Sequence, residues 1–443
     1  MRVAVVGGGL AGITAALALQ EAGAAVELFE ARPRLGGATH SFNRDGLTVD
    51  NGQHVYLRCC TAYQGLLDRL GARDKVSMQD RFDITVLSPD GRSGRLRRAG
   101  LPGPLHMLPA LGRYGLLGPA DRLRVGRAAL ALRGLDPDDP ALDQVSVGTW
   151  LSAHGQRERA RTALWELFVT AALNTGVEDA ALGAAAMVVQ TALLGRADAA
   201  DIGVPTVPLG DLHGTSALEV LDTVHLKSKV TAIEPGPRLT VDGQVHDVDA
   251  VVLAVPHQAA AALVPEEACP DRGRWAGLGA SPIVNVHVRY DRRVTDLPFA
   301  AAIDSPVQWV FDRTAISGAD SGQYLAVSVS AAADWIDVPV AEVRAVFVPA
   351  LRALFPAARA ARVTDLFVTR ERQATFDQVP GSGALRPGPV TRMPGLVLAG
   401  AWTATGWPDT MEGAVRSGLT AARHVLRTTR TAPDRARIEG GLL

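Results

Sequence analysis

The sequence predicts an α/β fold built on a doubly wound parallel sheet, and three short segments near its start carry the prediction. Residues 3–6 form an apolar run typical of a strand buried on both faces. Residues 13–22 are rich in alanine and leucine and end at Gly23, which is typical of a helix. Residues 25–29 indicate a second strand. This order of strand, helix and strand predicts a βαβ unit.

Glycines in the turn after the first strand predict a nucleotide site. They fit G-x-G-x-x-G, and Glu30 follows Gly12 by 18 residues, near the usual spacing of about 20. The glycines allow a tight turn, close approach of a diphosphate and close helix packing, while the acid accepts hydrogen bonds from ribose hydroxyls. The predicted cofactor residues of this Rossmann-type unit are Gly7, Gly9, Leu10, Ala11, Gly12, Glu30 and Ala31. The alternative is a glycine-rich turn without a ligand.

The segment after the second strand indicates which dinucleotide is bound. Residues 30–37 resemble the corresponding segment of flavin amine oxidases and phytoene-desaturase-like enzymes. The resemblance implies that the cofactor is FAD, with Gly36 and Gly37 passing beside its diphosphate and Arg32 helping to hold it. The chain departs from the family pattern at Ala38, where many members have an arginine.

A segment in the middle of the chain predicts further β structure. Residues 229–233, 238–241 and 250–255 indicate three short strands, with Asp242-Gly243 as a hairpin turn between two of them. The segment is similar to the β-meander of the same superfamily. That resemblance implies a main-chain contact between Val230 and adenine, and a last strand that returns to the main sheet.

The C-terminal segment resembles the second FAD motif of the superfamily. A strand is predicted to end at Gly400, and a helix to start near Met411. The resemblance implies that the N-terminus of this helix faces the flavin, where its dipole stabilises the negative charge of reduced flavin. The implied contacts are Gly400, Ala401, Met411 and Glu412, although Ala401 stands where most members have an acid.

Several unusual sequence segments narrow the resemblance to one group within this superfamily. They are residues 49–63, 172–175, 203–213, 371–376 with 386–387, and 399–413. In combination they are similar to the bacterial hydroxysqualene dehydroxylases, also called squalene-associated FAD-dependent desaturases. The resemblance implies that reduced FAD replaces the hydroxyl of an allylic C30 alcohol by hydride. It also implies a hydrophobic C30 isoprenoid substrate. No second dinucleotide motif is visible in the sequence, so we expect an external electron donor or reductase.

Two residues are candidates for proton transfer to the departing hydroxyl. His54 lies beside the segment that runs along the flavin in relatives, and its alternative role is to bond nearby backbone. Glu166 is either an acid facing the pocket or a surface charge. Asp50 is expected to fix the local turn. Trp165, Trp402 and Trp407 are either pocket aromatics or core residues.

The order of elements predicts two interleaved domains. The FAD-binding domain comprises residues 1–88, 205–275 and 388–428, and an α+β substrate-binding domain comprises 89–204 and 276–387. Residues 284–290 and 325–329 indicate strands in the second domain. Residues 429–443 are expected to form a flexible tail.

Residues 91–135 carry nine arginines and one acid among many leucines. Basic and large apolar side chains together suit an anionic membrane surface, and the alternative is a solvent-exposed pair of helices. We therefore expect a cytoplasmic protein, peripheral on the inner face of the cytoplasmic membrane. No apolar stretch is long enough for a transmembrane helix, and the chain opens with a strand rather than a signal peptide.

Composition limits the other classes of function. A formal net charge of -1 gives no basic field for nucleic acid. The three cysteines lack zinc-ligand spacing, so no metal site is expected. The rival functions that remain are a carotenoid- or squalene-type desaturase, an amine oxidase, and a flavin-free prenyl-lipid carrier like the Rab GDP-dissociation inhibitors.

Overall fold

A computed structural model of the protein describes residues 1–429. Its strands, in chain order, are β1 Arg2–Val6, β2 Ala25–Glu30, β3 Ser41–Arg44, β4 Leu47–Asp50, β5 Tyr56–Leu57, β6 Val76–Met78, β7 Asp83–Leu87, β8 Ser93–Arg97, β9 Ile202–Pro205, β10 Val224–Leu226, β11 Val230–Glu234, β12 Arg238–Val241, β13 Gln244–Asp247, β14 Ala250–Leu253, β15 Ser281–Tyr290, β16 Phe299–Ala302, β17 Trp309–Asp312, β18 Gln323–Val329, β19 Val363–Thr375 and β20 Leu396–Leu398.

The α-helices are α1 Leu10–Glu21, α2 Thr61–Arg69, α3 Leu108–Arg113, α4 Pro119–Arg133, α5 Val147–Ala153, α6 Glu158–Ala160, α7 Glu166–Leu173, α8 Leu182–Val189, α9 Ser216–Val220, α10 His257–Leu263, α11 Thr314–Ser317, α12 Val340–Leu354 and α13 Met411–Thr429. Three wider π-helical turns are Arg161–Trp165, Gln190–Leu194 and Gly210–Thr215. One of them joins α6 to α7, and another extends α8, so each forms a longer helical segment in the region between β8 and β9.

A five-stranded parallel sheet confirms the predicted α/β fold. Its order is β10-β2-β1-β14-β20, so strands from three distant parts of the chain lie side by side. Val3 and Val5 pack under α1 and α13 on one face, while Ala4 and Val6 pack under the meander and α10 on the other. Because both faces are covered, β1 reads as a continuous apolar run.

The β-meander consists of β11, β12 and β13, and its third strand was not predicted. Residues 250–253 form β14 of the parallel sheet, which confirms the predicted return of this strand to the main sheet. Asp242 and Gly243 form the predicted hairpin turn, with φ of 48° and 81°. Two positive φ values are what a two-residue hairpin with the natural strand twist requires. The missed strand, Gln244–Asp247, is short and largely exposed, so it carries no apolar pattern.

A seven-stranded sheet of order β19-β15-β18-β17-β16-β7-β8 forms the second large layer. The strands predicted at 284–290 and 325–329 are present as β15 and β18, which pair antiparallel. Helix α12 covers one face, and the long helices between β8 and β9 cover the other. Strand β7 pairs with β16 and belongs to this sheet. Its residues fall within 1–88, the piece of chain that was predicted to be part of the FAD-binding domain.

Two smaller sheets, β3-β4 and β5-β9-β6, connect the large layers. Of the predicted tail, 429–443, only the first residue lies within the described part of the chain, as the last residue of α13. Among residues 1–429 we find no helix that is both long enough and apolar enough to span a bilayer.

Candidate cofactor site and active site

The turn between β1 and α1 forms a cradle of backbone. Gly7 has φ of 107°, and its N–H donates to the Phe29 carbonyl at 2.8 Å. A Cβ at Gly12 would collide with the Gly7 carbonyl oxygen, so the helix approaches the strand as closely as glycine allows. At Gly9, by contrast, a Cβ would meet only the Gly37 Cα, at 3.9 Å. The first N–H groups of α1 lie beside this opening and have no acceptor within the helix.

Glu30 is held in place at the edge of the cradle. It is 9% exposed, and its two carboxylate oxygens accept hydrogen bonds from the N–H groups of Gly8 and Arg32, both at 2.7 Å. Each oxygen keeps a second acceptor position, so the fixed carboxylate can still receive ribose hydroxyls. Ala31 and Arg32 are exposed, and the guanidinium of Arg32 makes no ion pair with a described residue.

The second glycine pair packs directly against the first. The Gly36 N–H donates to the Gly8 carbonyl at 2.8 Å, and a Cβ at Gly37 would lie 2.8 Å from the Gly9 Cα. Gly36 and Gly37 have φ of 102° and 58°, which explains the need for glycine at both positions. The two loops therefore form one surface of exposed backbone.

The remaining predicted cofactor residues lie at the ends of β11, β20 and α13. Val230 is buried at the start of β11, where the pairing with β12 is irregular. Gly400 has φ of 135°, and its N–H donates to the Ser417 hydroxyl of α13 at 2.8 Å. The Ala401 carbonyl accepts a hydrogen bond from Arg386 at 2.8 Å. Helix α13 begins at Met411, as predicted.

Glu412 has a structural partner that the sequence did not reveal. Its carboxylate is 1% exposed and accepts from the N–H groups of Ala62 at 3.1 Å and Tyr63 at 2.7 Å. Arg416 donates to it at 2.8 Å. The side chain therefore caps α2, and the cofactor contact implied for Glu412 stays a prediction.

Five buried polar atoms near these loops have no hydrogen-bond partner among the described residues. They are Arg34 Nη1, His40 Nδ1, Gln53 Oε1, His54 Nδ1 and Asn285 Oδ1. Unpaired buried polar atoms are rare, and in a binding site they mark groups that a ligand satisfies. Together with the glycine cradle and the fixed Glu30, they fit an extended dinucleotide such as FAD.

Asn51 holds the loop of the second glycine pair against β15. Its amide accepts from the His40 N–H at 3.0 Å and donates to the Ala38 carbonyl at 2.8 Å. Asn285 of β15 donates to the Asn51 carbonyl at 3.1 Å. Sequence reasoning missed Asn51 and Asn285 as site residues, although Asn51 lies within the unusual string 49–63.

His54 lies at the wall of this site. Burial is the main cause that lowers its pKa, and a backbone contact of Gly52 and the charge of Asp50 oppose it. The imidazole is therefore neutral near pH 7. Asp50 has the structural role expected of it: it accepts from Ser41 Oγ at 2.6 Å and the Leu209 N–H at 2.9 Å.

The other candidates lie apart from the cofactor loops. Glu166 is exposed on α7, and its pKa is raised by partial burial and by the charges of Glu178 and Asp304. The structure does not bring it together with His54. Trp165 and Trp402 are core residues whose indole N–H groups bond Gln156 Oε1 and the Val255 carbonyl. Trp407 is half-buried under the guanidinium of Arg416. The catalytic roles of His54 and Glu166 stay predictions.

The cradle, the acid at the end of β2, the meander and the returning helix α13 define the class of FAD-binding oxidoreductases. The family model described as flavin containing amine oxidoreductase matches residues 10–426. The chain belongs to this family, and it binds FAD as its cofactor.

Curated relatives confirm the narrower resemblance. A hydroxysqualene dehydroxylase of Sinorhizobium fredii is 30% identical, over 97% of this chain and 99% of the relative. One of Rhodopseudomonas palustris is 31% identical with the same coverage. A zeta-carotene desaturase of Synechocystis is 27% identical, over 96% of this chain and 97% of the relative.

Solved structures show the same fold. A triple mutant of putrescine oxidase superposes with a TM-score of 0.75 at 21% identity, covering 96% of this chain and 98% of that one. Cyclohexylamine oxidase of Brevibacterium oxydans gives 0.72 at 21% identity, with the same coverage. At this identity the likeness concerns the fold alone.

Proposed function

We propose that the protein reduces hydroxysqualene to squalene. The names of the two relatives that match nearly their full length support this substrate. The observation that carries it is a group of partly buried apolar side chains, the first of which, Val55, directly follows His54 in the chain. They pack against the core of the helical region and include Val55, Leu57, Phe168, Val188 and Trp309. Apolar side chains of this kind suit contact with a long hydrocarbon, and they offer an amine no counter-charge.

The reaction takes up one proton and one hydride. The proton lets the allylic hydroxyl leave as water, and the hydride forms a C–H bond with the allylic cation that remains. Reduced FAD supplies the hydride when it is bound. The apolar side chains exclude water, which would otherwise recapture the allylic cation. His54, neutral at pH 7, can hold the substrate hydroxyl in place by a hydrogen bond. Proton donation by His54 itself requires the imidazolium, which its burial disfavours.

The test is an anaerobic single turnover. The purified yellow protein is reduced with dithionite, mixed with hydroxysqualene, and its products are extracted. Squalene formed in step with flavin reoxidation supports the proposal. The variants His54→Gln and Glu166→Gln test the two candidate residues. If one of these residues is catalytic, its variant should form squalene at least about 100-fold more slowly. A reduced protein that leaves hydroxysqualene unchanged contradicts the proposal.

A second candidate is a desaturase, because a zeta-carotene desaturase also matches the chain along its length. A desaturase uses oxidised flavin, which accepts a hydride from the substrate instead of donating one. It would bleach the oxidised flavin when given squalene or phytoene under anaerobic conditions, and it would not consume hydroxysqualene. The two readouts together distinguish the direction of the reaction.

An external reductase is part of the proposal. The described chain offers one glycine cradle of the dinucleotide type, after β1. We expect NADPH alone to reduce the flavin at a negligible rate, and added reductase to restore turnover. Rapid anaerobic reduction by NADPH alone would contradict this part.

We further propose that the protein docks on the inner face of the cytoplasmic membrane through residues 91–135. This segment contributes five exposed leucines: Leu101, Leu105, Leu108, Leu123 and Leu130. Leu130 is 65% exposed, the highest value among the exposed large apolar residues described. Arg113, Arg127 and Arg133 are exposed nearby and make no ion pair with a described residue. Apolar side chains with free cations between them suit an anionic lipid surface.

Other arginines of the segment have internal partners. Arg98 donates to the buried Asp201 at 2.6 Å, and Arg122 donates to the Gly112, Tyr114 and Leu117 carbonyls. Arg124 pairs with Asp121 at 2.9 Å. Changing these residues would disturb the fold, so they are unsuited to a binding test.

Sedimentation with vesicles of phosphatidylglycerol and phosphatidylcholine tests the docking surface. The variants are Arg113→Glu with Arg127→Glu and Arg133→Glu, and separately Leu105→Ser with Leu108→Ser and Leu130→Ser. Each triple change should lower the bound fraction at least about 10-fold. The control, Val245→Ser with Val390→Ser, removes exposed apolar residues elsewhere and should bind normally. Undiminished binding of both triple variants contradicts the proposal.

A further inference from the structure

The proposed reaction needs a proton donor, and neither His54 nor Glu166 suits that role well. Burial lowers the pKa of His54, so near pH 7 its imidazole lacks the acidic proton that a departing hydroxyl requires. Glu166 is exposed on α7, apart from the cofactor loops. A third acid, Asp409, lies in the connection between β20 and α13.

This connection starts at the edge of the parallel sheet where the cofactor site lies. Strand β20 runs parallel to β14, and β14 runs parallel to β1, so Gly400 after β20 and the glycine turn after β1 share one edge. In open α/β sheets, ligands bind at this carboxyl edge of the strands. Asp409 therefore belongs to a loop on the cofactor side of the sheet.

Hydrogen bonds tie Asp409 to helix α7 of the helical region. Its N–H donates to Gln378 Oε1 at 3.1 Å. The Gln378 amide in turn donates to the carbonyl of Leu173, the last residue of α7, at 2.6 Å. Helix α7 also contributes Phe168 to the apolar group that suits a hydrocarbon.

The other end of the connection meets α2. Glu412, three residues after Asp409, accepts two N–H groups at the start of α2. Residues 54–57, which include His54 and two of the apolar side chains, end four positions before α2. Asp409 thus lies where the cofactor edge, α7 and this segment come together.

The carboxyl group of Asp409 has one engaged and one free oxygen. Oδ2 accepts a hydrogen bond from the Phe376 N–H at 3.0 Å, whereas Oδ1 accepts none from a described residue. When the group is protonated, the proton resides on Oδ1, because Oδ2 keeps its lone pair for the N–H. The residue is partly exposed, so a ligand can reach this proton.

The surroundings of Asp409 set its acidity near the working pH. Burial raises the pKa of Asp409 to about 6, and the Phe376 N–H and the charge of Arg386 oppose this rise. An acid with a pKa close to the working pH is suited to general acid catalysis. The charged groups on the neighbouring elements are Arg386, Asp143, Asp377, Glu412 and Arg416.

We propose that Asp409 donates the proton to the departing hydroxyl, an inference that rests on the function proposed above. The electron pair of the C–O bond leaves with the oxygen, and the Asp409 proton converts it to water. The hydride supplied by reduced flavin forms the new C–H bond. The carboxylate that remains stabilises the allylic cation until the hydride arrives, and it takes up a proton from solvent before the next turnover.

A pH profile of the anaerobic single turnover tests the inference. Squalene formation by the wild type should be fastest below pH 6 and fall about 10-fold per pH unit above it, because only the protonated acid is active. Asp409→Asn should react at least about 100-fold more slowly below pH 6, without that fall. Asp409→Glu should keep part of the rate. Asp45→Asn, on an exposed turn, is the control.

Arg386→Met moves the profile without removing the acid. Loss of this cation raises the pKa of Asp409, so the fall in rate should shift to higher pH. Titration of any other group, reduced flavin included, persists in Asp409→Asn, so the difference between the two profiles isolates this acid.

The outcomes separate this inference from the proposed function. A wild-type rate, or a fall in rate through pH 6, in Asp409→Asn would overturn the inference and leave the proposed function intact. Loss of bound flavin from this variant would assign Asp409 a structural role and would overturn the inference as well. Absence of squalene from the wild type at every pH would refute the proposed function, and this inference with it.

Discussion

At the scale of single residues, Gly12 has the sharpest steric requirement in the cofactor site. A Cβ there would strike the Gly7 carbonyl oxygen, and backbone cannot move aside as a flexible side chain can. Gly12→Ala should therefore cost about 3 kcal/mol or more of unfolding free energy, and most of the bound FAD.

The matched control for this change is Gly126→Ala. Gly126 also lies inside a helix, but a Cβ there meets nothing within 4 Å. This variant should gain about 0.5–1 kcal/mol, because alanine favours the helix. Urea unfolding and the ratio of flavin to protein absorbance measure both effects. Equal stability of the two variants would contradict the steric argument.

Asp409 gives a prediction about pH. Burial raises its pKa to about 6, against the opposing effects of the Phe376 N–H and the charge of Arg386. The raised value means that the folded state favours the protonated acid. Its contribution to stability is thus complete below about pH 4 and is lost as the pH rises through 6.

Asp409→Asn should remove this dependence. Relative to the wild type, its unfolding free energy should rise by about 1–3 kcal/mol between pH 4 and pH 7 and then stay level. Asparagine can still accept the hydrogen bond from the Phe376 N–H, which Asp409 Oδ2 accepts at 3.0 Å. Asp45→Asn, on an exposed turn, is the control. If the difference in unfolding free energy between Asp409→Asn and the wild type stays constant from pH 4 to pH 7, this would be evidence against a raised pKa of Asp409.

At the scale of elements, α2 depends on a cap supplied from α13. The Glu412 carboxylate accepts two N–H groups at the start of α2, those of Ala62 and Tyr63. Glu412→Ala leaves both buried donors unpaired and should cost about 2–4 kcal/mol. Glu412→Gln retains one acceptor oxygen and should cost about half as much. Chemical unfolding followed by circular dichroism measures the loss.

The same variants separate a cap from a cofactor contact. If Glu412 acts as a cap, both variants retain their flavin in dilute buffer. Glu412→Ala then loses more unfolding free energy than Glu412→Gln, because alanine keeps no acceptor oxygen. Exposed Glu166 serves as the control, since Glu166→Ala removes no hydrogen bond with a described residue. Loss of FAD without loss of stability would instead make Glu412 a cofactor residue.

Elements with a local signal could be predicted, and those formed by distant contacts could not. The strands β1 and β2 and the start of α13 follow from short apolar runs and glycine positions. The exposed strand β13 has no such pattern, and the alternation in β7 does not reveal that this strand pairs with β16 of the seven-stranded sheet. The cap by Glu412 joins positions 350 residues apart, which no local pattern encodes.

At the scale of the whole molecule, a buried ion pair ties the small β3-β4 sheet to the seven-stranded sheet. Asp50 ends β4 beside the cofactor loops, and Arg313 follows β17 of the seven-stranded sheet. Asp50 also accepts hydrogen bonds from the Ser41 hydroxyl and the Leu209 N–H. Two segments that lie far apart in the chain therefore fix its position. The substrate-binding part is thereby held against the cofactor site.

Breaking this pair should weaken the molecule as a unit. Arg313→Leu leaves the Asp50 carboxylate buried without its cation, which should cost about 3–5 kcal/mol. Adding Asp50→Asn removes the stranded charge, so the double variant should be more stable than Arg313→Leu alone. Flavin release and tryptophan fluorescence should still report one common transition in each variant, because Asn285 of the seven-stranded sheet also holds Asn51, the residue that follows β4. Two separate transitions in the wild type would mean that the cofactor-binding part and the seven-stranded sheet unfold independently, which would contradict the role of the pair as a link between them.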